Sequence, residues 1–118
     1  MRKVLTVLAM LMAQPLAAQD ATTAPGGTLR VLDKITGRTH DLELRSGETG
    51  TVGLLAVTMM ECRFPTGNRT GDAFALLSIV YNNEPDPVFR GWMIASAPAL
   101  NALDHQRYDV WALRCSSE

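Results

Sequence analysis

The chain has 118 residues, 19% of them charged, with 11 Lys+Arg against 12 Asp+Glu. The two signs are interspersed and no basic run occurs, which argues against a nucleic-acid footprint and against a polybasic contact with anionic membrane. Hydrophobic residues make up 47% of the chain, enough for one packed core in a length that suits a single domain.

Arg2 and Lys3 form a positive start, Val4–Met12 is a short apolar run, and Pro15 precedes the small pair Ala17-Ala18. That order belongs to a cleavable secretory signal peptide, and the run is shorter than the ~20 residues that span a bilayer. The expected cut follows Ala18, although Leu16 at the −3 position is larger than usual there. Residues 1–18 are therefore set aside from the fold. Without Arg2 and Lys3 the balance becomes 9 Lys+Arg to 12 Asp+Glu, a net charge of −3. No cysteine follows the apolar run to carry a lipid, and no second stretch is long enough for a membrane span. The expected product is a soluble exported protein.

Residues 19–27 are small and polar and end in Pro25-Gly26-Gly27, which reads as a flexible linker ahead of a single β domain over residues 28–118. Thr28–Lys34 is a strand with Leu29 and Val31 on one face. Ile35–Arg38 turns through Gly37, and Thr39–Leu44 alternates again with Leu42 and Leu44 together, completing a hairpin.

Thr51–Arg63 is the longest apolar run after the signal peptide. Its glycines and β-branched residues argue for a strand rather than a helix. Val57 and Cys62 have opposite parity, so either both faces are covered or a bulge near Met59-Met60 switches sides. Phe64–Gly71 is a loop by composition. Asp72–Tyr81 is a strand apolar on both faces, hence central. Val88–Ile94 places Arg90, Trp92 and Ile94 on one face. Ser96 could cap a short helix with Pro98 in its first turn and Leu100 and Leu103 on one side. Tyr108–Cys115 is the last strand, with Trp111 sharing the parity of Cys115 and therefore expected in the core. Six strands and at most one short helix predict an all-β fold, a small antiparallel sandwich or barrel.

Cys62 and Cys115 are the only cysteines. They lack C-x-x-C spacing, and in an exported chain they are expected to form a disulfide between the third and last strands. Closing that loop is worth roughly 4 kcal/mol on the chain-entropy account.

Chemistry-bearing residues are sparse. A mixed metal site can be drawn from His40, Asp41, Asp104 and His105, but a lone pair of histidines about 65 positions apart lacks the usual ligand spacing. No metal and no cofactor are expected. Ser96, His105 and Asp104 could be arranged as a hydrolase triad, yet Ser96 has no glycine-flanked elbow, and no catalytic residue is assigned. The aromatic and arginine residues of the last third suggest a binding surface of Arg90, Trp92, Ser96, Asp104, His105, Arg107 and Tyr108.

The motifs LDKITGR at Leu32–Arg38, Gly-Glu-Thr at Gly47–Thr49, Cys62 and GWMIASAPALNALDHQRYDVWALRC at Gly91–Cys115 are similar to those of a family of small exported alphaproteobacterial proteins with a domain of unknown function. The resemblance implies a bacterial, periplasmic, single-domain protein with paired cysteines, and it supplies no catalytic residues. A bacterial origin also removes any meaning from the glycosylation sequon Asn68-Arg69-Thr70. The expected function is a non-catalytic periplasmic module that binds or inhibits another envelope component, with a protein as partner. The alternatives are a small hydrolase using Ser96, His105 and Asp104, and a carrier holding an apolar ligand among Met59, Met60 and Met93.

Overall fold

The computed structural model describes residues 20–117. Its strands are β1 (Ala21–Ala24), β2 (Gly26–Asp33), β3 (Thr39–Arg45), β4 (Thr49–Val52), β5 (Leu55–Pro65), β6 (Phe74–Tyr81), β7 (Phe89–Ile94) and β8 (Tyr108–Cys115). They form two sheets. One runs β1-β5-β6-β7 with β4 also paired to β5; the other runs β3-β2-β8. Every pairing is antiparallel. The fold is an all-β sandwich, as the alternating strands predicted.

The expected linker is a correction. Ala21–Ala24 is strand β1, paired with Cys62–Pro65, and Gly26-Gly27 already belongs to β2. Small polar residues suffice there because the β5 edge supplies ladder partners for the backbone. The long third strand also divides: Gly53 turns the chain at φ +56°, leaving Thr49–Val52 as β4 against the start of β5.

β1 and β4 share one edge of β5, separated by a register shift between Met59 and Glu61. This is the bulge expected near Met59-Met60. Leu55, Val57 and Met59 face inward before it, and Cys62 and Phe64 face inward after it. The chain crosses between sheets twice beside this bulge, once at Pro25 and once at Ser46–Glu48. The two crossings are joined where the Ser46 N–H donates to the Pro25 carbonyl at 2.9 Å. Gly27 permits the close approach, since a Cβ there would lie 2.8 Å from Cys62 Sγ.

The opposite side of the sandwich is closed differently. β7 ends beside the start of β6, whereas β8 begins near the end of β6. Residues 95–107 must therefore run back along the open side as a strap. The Asn101 side-chain amide donates to the Trp92 carbonyl at 2.9 Å, and Leu103 sinks into the core at 4% exposure. The short helix is only a 3-10 turn, Pro98–Leu100, without a side-chain cap. Leu100 points outward while Leu103 points inward, so the two do not share a side.

Between the sheets lie Leu29, Val31, Leu55, Val57, Met59, Leu77, Ile79 and Tyr108, all without solvent exposure. Cys62 and Cys115 are bonded and tie β5 of one sheet to β8 of the other. Trp111 corrects the sequence reading. A register shift opposite Thr28–Leu29 leaves Leu113 as the extra residue of β8. Cys115 then reaches the inner side by a change of parity, while Trp111 lies half-buried on the outer face opposite Arg30.

Candidate functional site

The end of the sandwich where β2 and β6 finish and β8 begins carries an open recess of about 560 Å³, lined by Ile35, Tyr81, Asp104, His105, Gln106 and Arg107. Its wall is an aromatic cluster. The His105 ring lies 4.5 Å from Tyr81 and 5.7 Å from Tyr108, centroid to centroid. The backbone N–H groups of Arg107 and Tyr108 both donate to His105 Nδ1, at 3.0 and 3.3 Å. Nδ1 therefore acts as acceptor, which assigns the ring proton to Nε2 in the neutral imidazole.

Arg107 is held in turn. Its guanidinium donates to Asp33 at 3.2 Å and lies 5.2 Å over the Tyr108 ring. The hydrogen bond it donates to Asp33 secures the positive charge of Arg107. Burial pushes the Asp33 carboxyl up, but Arg107 and the N–H groups of Ile35 and Thr36 outweigh it and hold it below the ordinary carboxylate range. Asp33 thus organises the β2–β3 turn and the recess together. Lys34 spans the same gap, donating to the His105 carbonyl at 2.7 Å and pairing with Asp109 at 3.5 Å. Ile35 at 73% exposure and Leu54 at 47% present apolar surface at this end.

The structure brings Asp104, His105, Arg107 and Tyr108 together and separates Arg90, Trp92 and Ser96 from them. Tyr108 is a correction: it is fully buried, with its hydroxyl accepting the Leu54 N–H at 3.3 Å, and it backs the recess rather than offering surface. Arg90 and Trp92 sit on β7 at the outer face of the larger sheet, Trp92 beside Leu76 and under the Arg63 guanidinium. Ser96 lies at the far end, where its hydroxyl and its N–H both donate to Asp72. The eight residues of β6 separate Asp72 and Ser96 from Tyr81 and His105, about 23 Å at strand rise. That distance dismantles the hydrolase triad. Tyr81, Ile35 and Gln106 were not singled out from sequence; Tyr81 closing an apolar strand before Asn82-Asn83 was the available signal.

Met59 and Met93 fill the core and Met60 turns away from it, which removes the methionine-lined interior imagined for a carrier. His40 is exposed on β3. Among the described residues no three His, Cys, Asp or Glu side chains gather where a metal could be held. No helix among them is long and apolar enough to cross a membrane. A second recess of about 690 Å³ at the disulfide end is lined by Arg45, Arg69 and Arg114 but equally by Glu43, Glu48 and Asp72, so its charges cancel.

Residues 27–115 match DUF2155, described as an uncharacterised protein conserved in bacteria. An uncharacterised protein of Rickettsia prowazekii, RP359, is 28% identical over 92 residues, a match that covers 75% of this chain and 59% of that protein. The chain thus spans less than two thirds of the length of the curated relative it matches. No solved structure matches it.

Proposed function

The chain belongs to DUF2155, a family of uncharacterised bacterial proteins, and from that premise we propose that it is a non-catalytic periplasmic module that docks another envelope protein. The observation that carries this reading is the recess at the β2–β8 end. Its polar and aromatic groups are held in place by backbone hydrogen bonds and by the Arg107–Asp33 pair, and Ile35 stands exposed beside them. A prefixed set of groups loses little entropy on binding, and an exposed isoleucine next to it offers an apolar anchor. Export is supported by the charge–apolar–small order of residues 1–18, and the cross-sheet disulfide is compatible with an oxidising compartment. The separation of Ser96 from His105 favours binding over hydrolysis. The family match and the Rickettsia prowazekii relative are compatible with an alphaproteobacterial source.

The test is photo-crosslinking in living bacteria from a photoreactive residue at Ile35, with Thr51 and Trp92 as comparison positions. A discrete protein adduct from Ile35 and not from Thr51 is the expected outcome. An adduct from Trp92 alone would move docking to the outer face of the larger sheet, and no adduct at any position would reject the module. Amino-terminal sequencing of the envelope fraction is expected to begin at Gln19.

A further inference from the structure

We propose that the recess recognises a cationic side chain, a lysine or arginine of the docking partner, laid over the Tyr81 and His105 rings with Asp104 as counter-ion. This rests on the docking reading and names the chemistry of the partner. The fold already contains one such arrangement. Arg107 lies over the Tyr108 ring with Asp33 as its carboxylate, so a guanidinium, an aromatic face and an acid meet in one wall. The recess next to it repeats the two receptive parts, aromatic rings and a carboxylate; Arg107, which lines it, is committed to Asp33 and the Tyr108 ring, and among the described residues no cation pairs with Asp104. An ammonium or guanidinium is attracted to the face of such a ring, and more strongly once partly desolvated.

The surrounding charge agrees. Lys34 and Arg107 are the cations nearest the recess, and both are engaged, with Asp109 and Asp33 respectively. Asp104 is exposed and makes no ion pair among the described residues. The loop after Tyr81 adds acid. Asn82 and Asn83 both take left-handed backbone, at φ 52° and 56°, and return the Glu84 N–H to the Tyr81 carbonyl at 3.0 Å. Glu84 and Asp86 therefore stand in the loop that Tyr81 opens between β6 and β7. An anion entering here would face Asp104 with both nearby cations already neutralised, whereas a cation finds the carboxylate free.

The experiment is an NMR titration of the oxidised protein with Nα-acetyl-arginine amide and Nα-acetyl-lysine amide, with Nα-acetyl-norleucine amide as the uncharged comparison. Saturable shifts of the Tyr81 and His105 ring signals by the two cations, weakening as salt is raised, are expected. Asp104→Asn is expected to weaken binding at least fivefold, and Glu84→Gln no more than twofold. Because Asp104 is exposed and makes no side-chain hydrogen bond among the described residues, its variant should keep an unchanged backbone spectrum away from the recess. Equal shifts with norleucine amide, or unaltered affinity in Asp104→Asn, would overturn the proposal. Crosslinks from Ile35 without amide binding would remove the cation site and leave docking standing. Amide binding through Asp104 without crosslinks would do the reverse.

Discussion

Tyr108 has no solvent exposure, whereas Trp92 keeps 36% of its surface in water, although both are large aromatics on strands of the last third. Truncating a fully buried aromatic removes transfer energy and leaves a cavity, so Tyr108→Ala is expected to cost about 3–5 kcal/mol. Trp92→Ala should cost less than half of that, because its site is open to water on one side. Urea midpoints at constant m-value separate the two, and equal costs would contradict the burial seen here. Asp72 supplies a prediction of a different kind. Burial pushes its carboxyl up, but the Ser96 hydroxyl and the N–H groups of Ser96 and Ala73 outweigh it, leaving the group below the ordinary carboxylate range. A carboxylate lowered by folding contributes stability in full above its unfolded value of about 3.9 and loses it as pH falls through the lower folded value. The melting temperature of the protein should therefore drop below about pH 4. Asp72→Asn should be less stable at pH 7 and show a shallower acid slope, and parallel slopes for both proteins would show that Asp72 does not contribute.

At the scale of elements, the disulfide is the strongest single constraint. It joins strands in different sheets and closes 53 positions of chain, for which loop entropy gives about 4 kcal/mol. At ~4–8 °C per kcal/mol for a domain of this size, Cys62→Ala/Cys115→Ala should melt at least ten degrees lower than the oxidised protein. An unchanged melting temperature would show that the sheets hold together without it. The pairing was legible because two cysteines in a chain read as exported leave few options. So was the β2–β3 hairpin, since Leu29, Val31, Leu42 and Leu44 alternate around a glycine turn. The bulge in β5 was legible from the clash of parity between Val57 and Cys62. The second bulge was not, because nothing local marks Leu113 as extra; the parity of Trp111 was counted back from Cys115 and came out reversed. β1 was read as a linker because its stability is non-local, coming from the free edge of β5. The site divided in the same way. Asp104, His105 and Arg107 lie close in sequence and stay together, while Tyr81 and Ile35 reach the recess from β6 and the β2–β3 turn. Ser96, only nine positions before His105, is carried to the other end because the strap runs the length of the sandwich.

For the molecule as a whole, β1 would link the proposed cleavage after Ala18 to self-association. It begins at Ala21, two residues beyond the proposed new amino terminus at Gln19, and covers the β5 edge from Cys62 to Pro65. β4 covers the remainder of that edge from Leu55 to Thr58, so β1 is what shields the part nearest the disulfide. An uncovered edge strand presents free N–H and C=O groups to other chains. A chain beginning at Pro25 keeps both sheets, the disulfide and the recess, yet leaves that stretch of β5 open. It is expected to melt a few degrees lower, since four ladder residues and the buried Ala24 are lost. It should also self-associate as concentration rises, while the chain beginning at Gln19 does not. Light scattering of the two chains across a concentration series reads this directly. The arginine-amide response at the recess should be the same in both, because the β5 edge near the disulfide and the recess lie at opposite ends of the sandwich. Equal association of the two chains would mean that the crossing at Pro25 protects the β5 edge by itself. The position of the cut would then be free to vary downstream of Ala18.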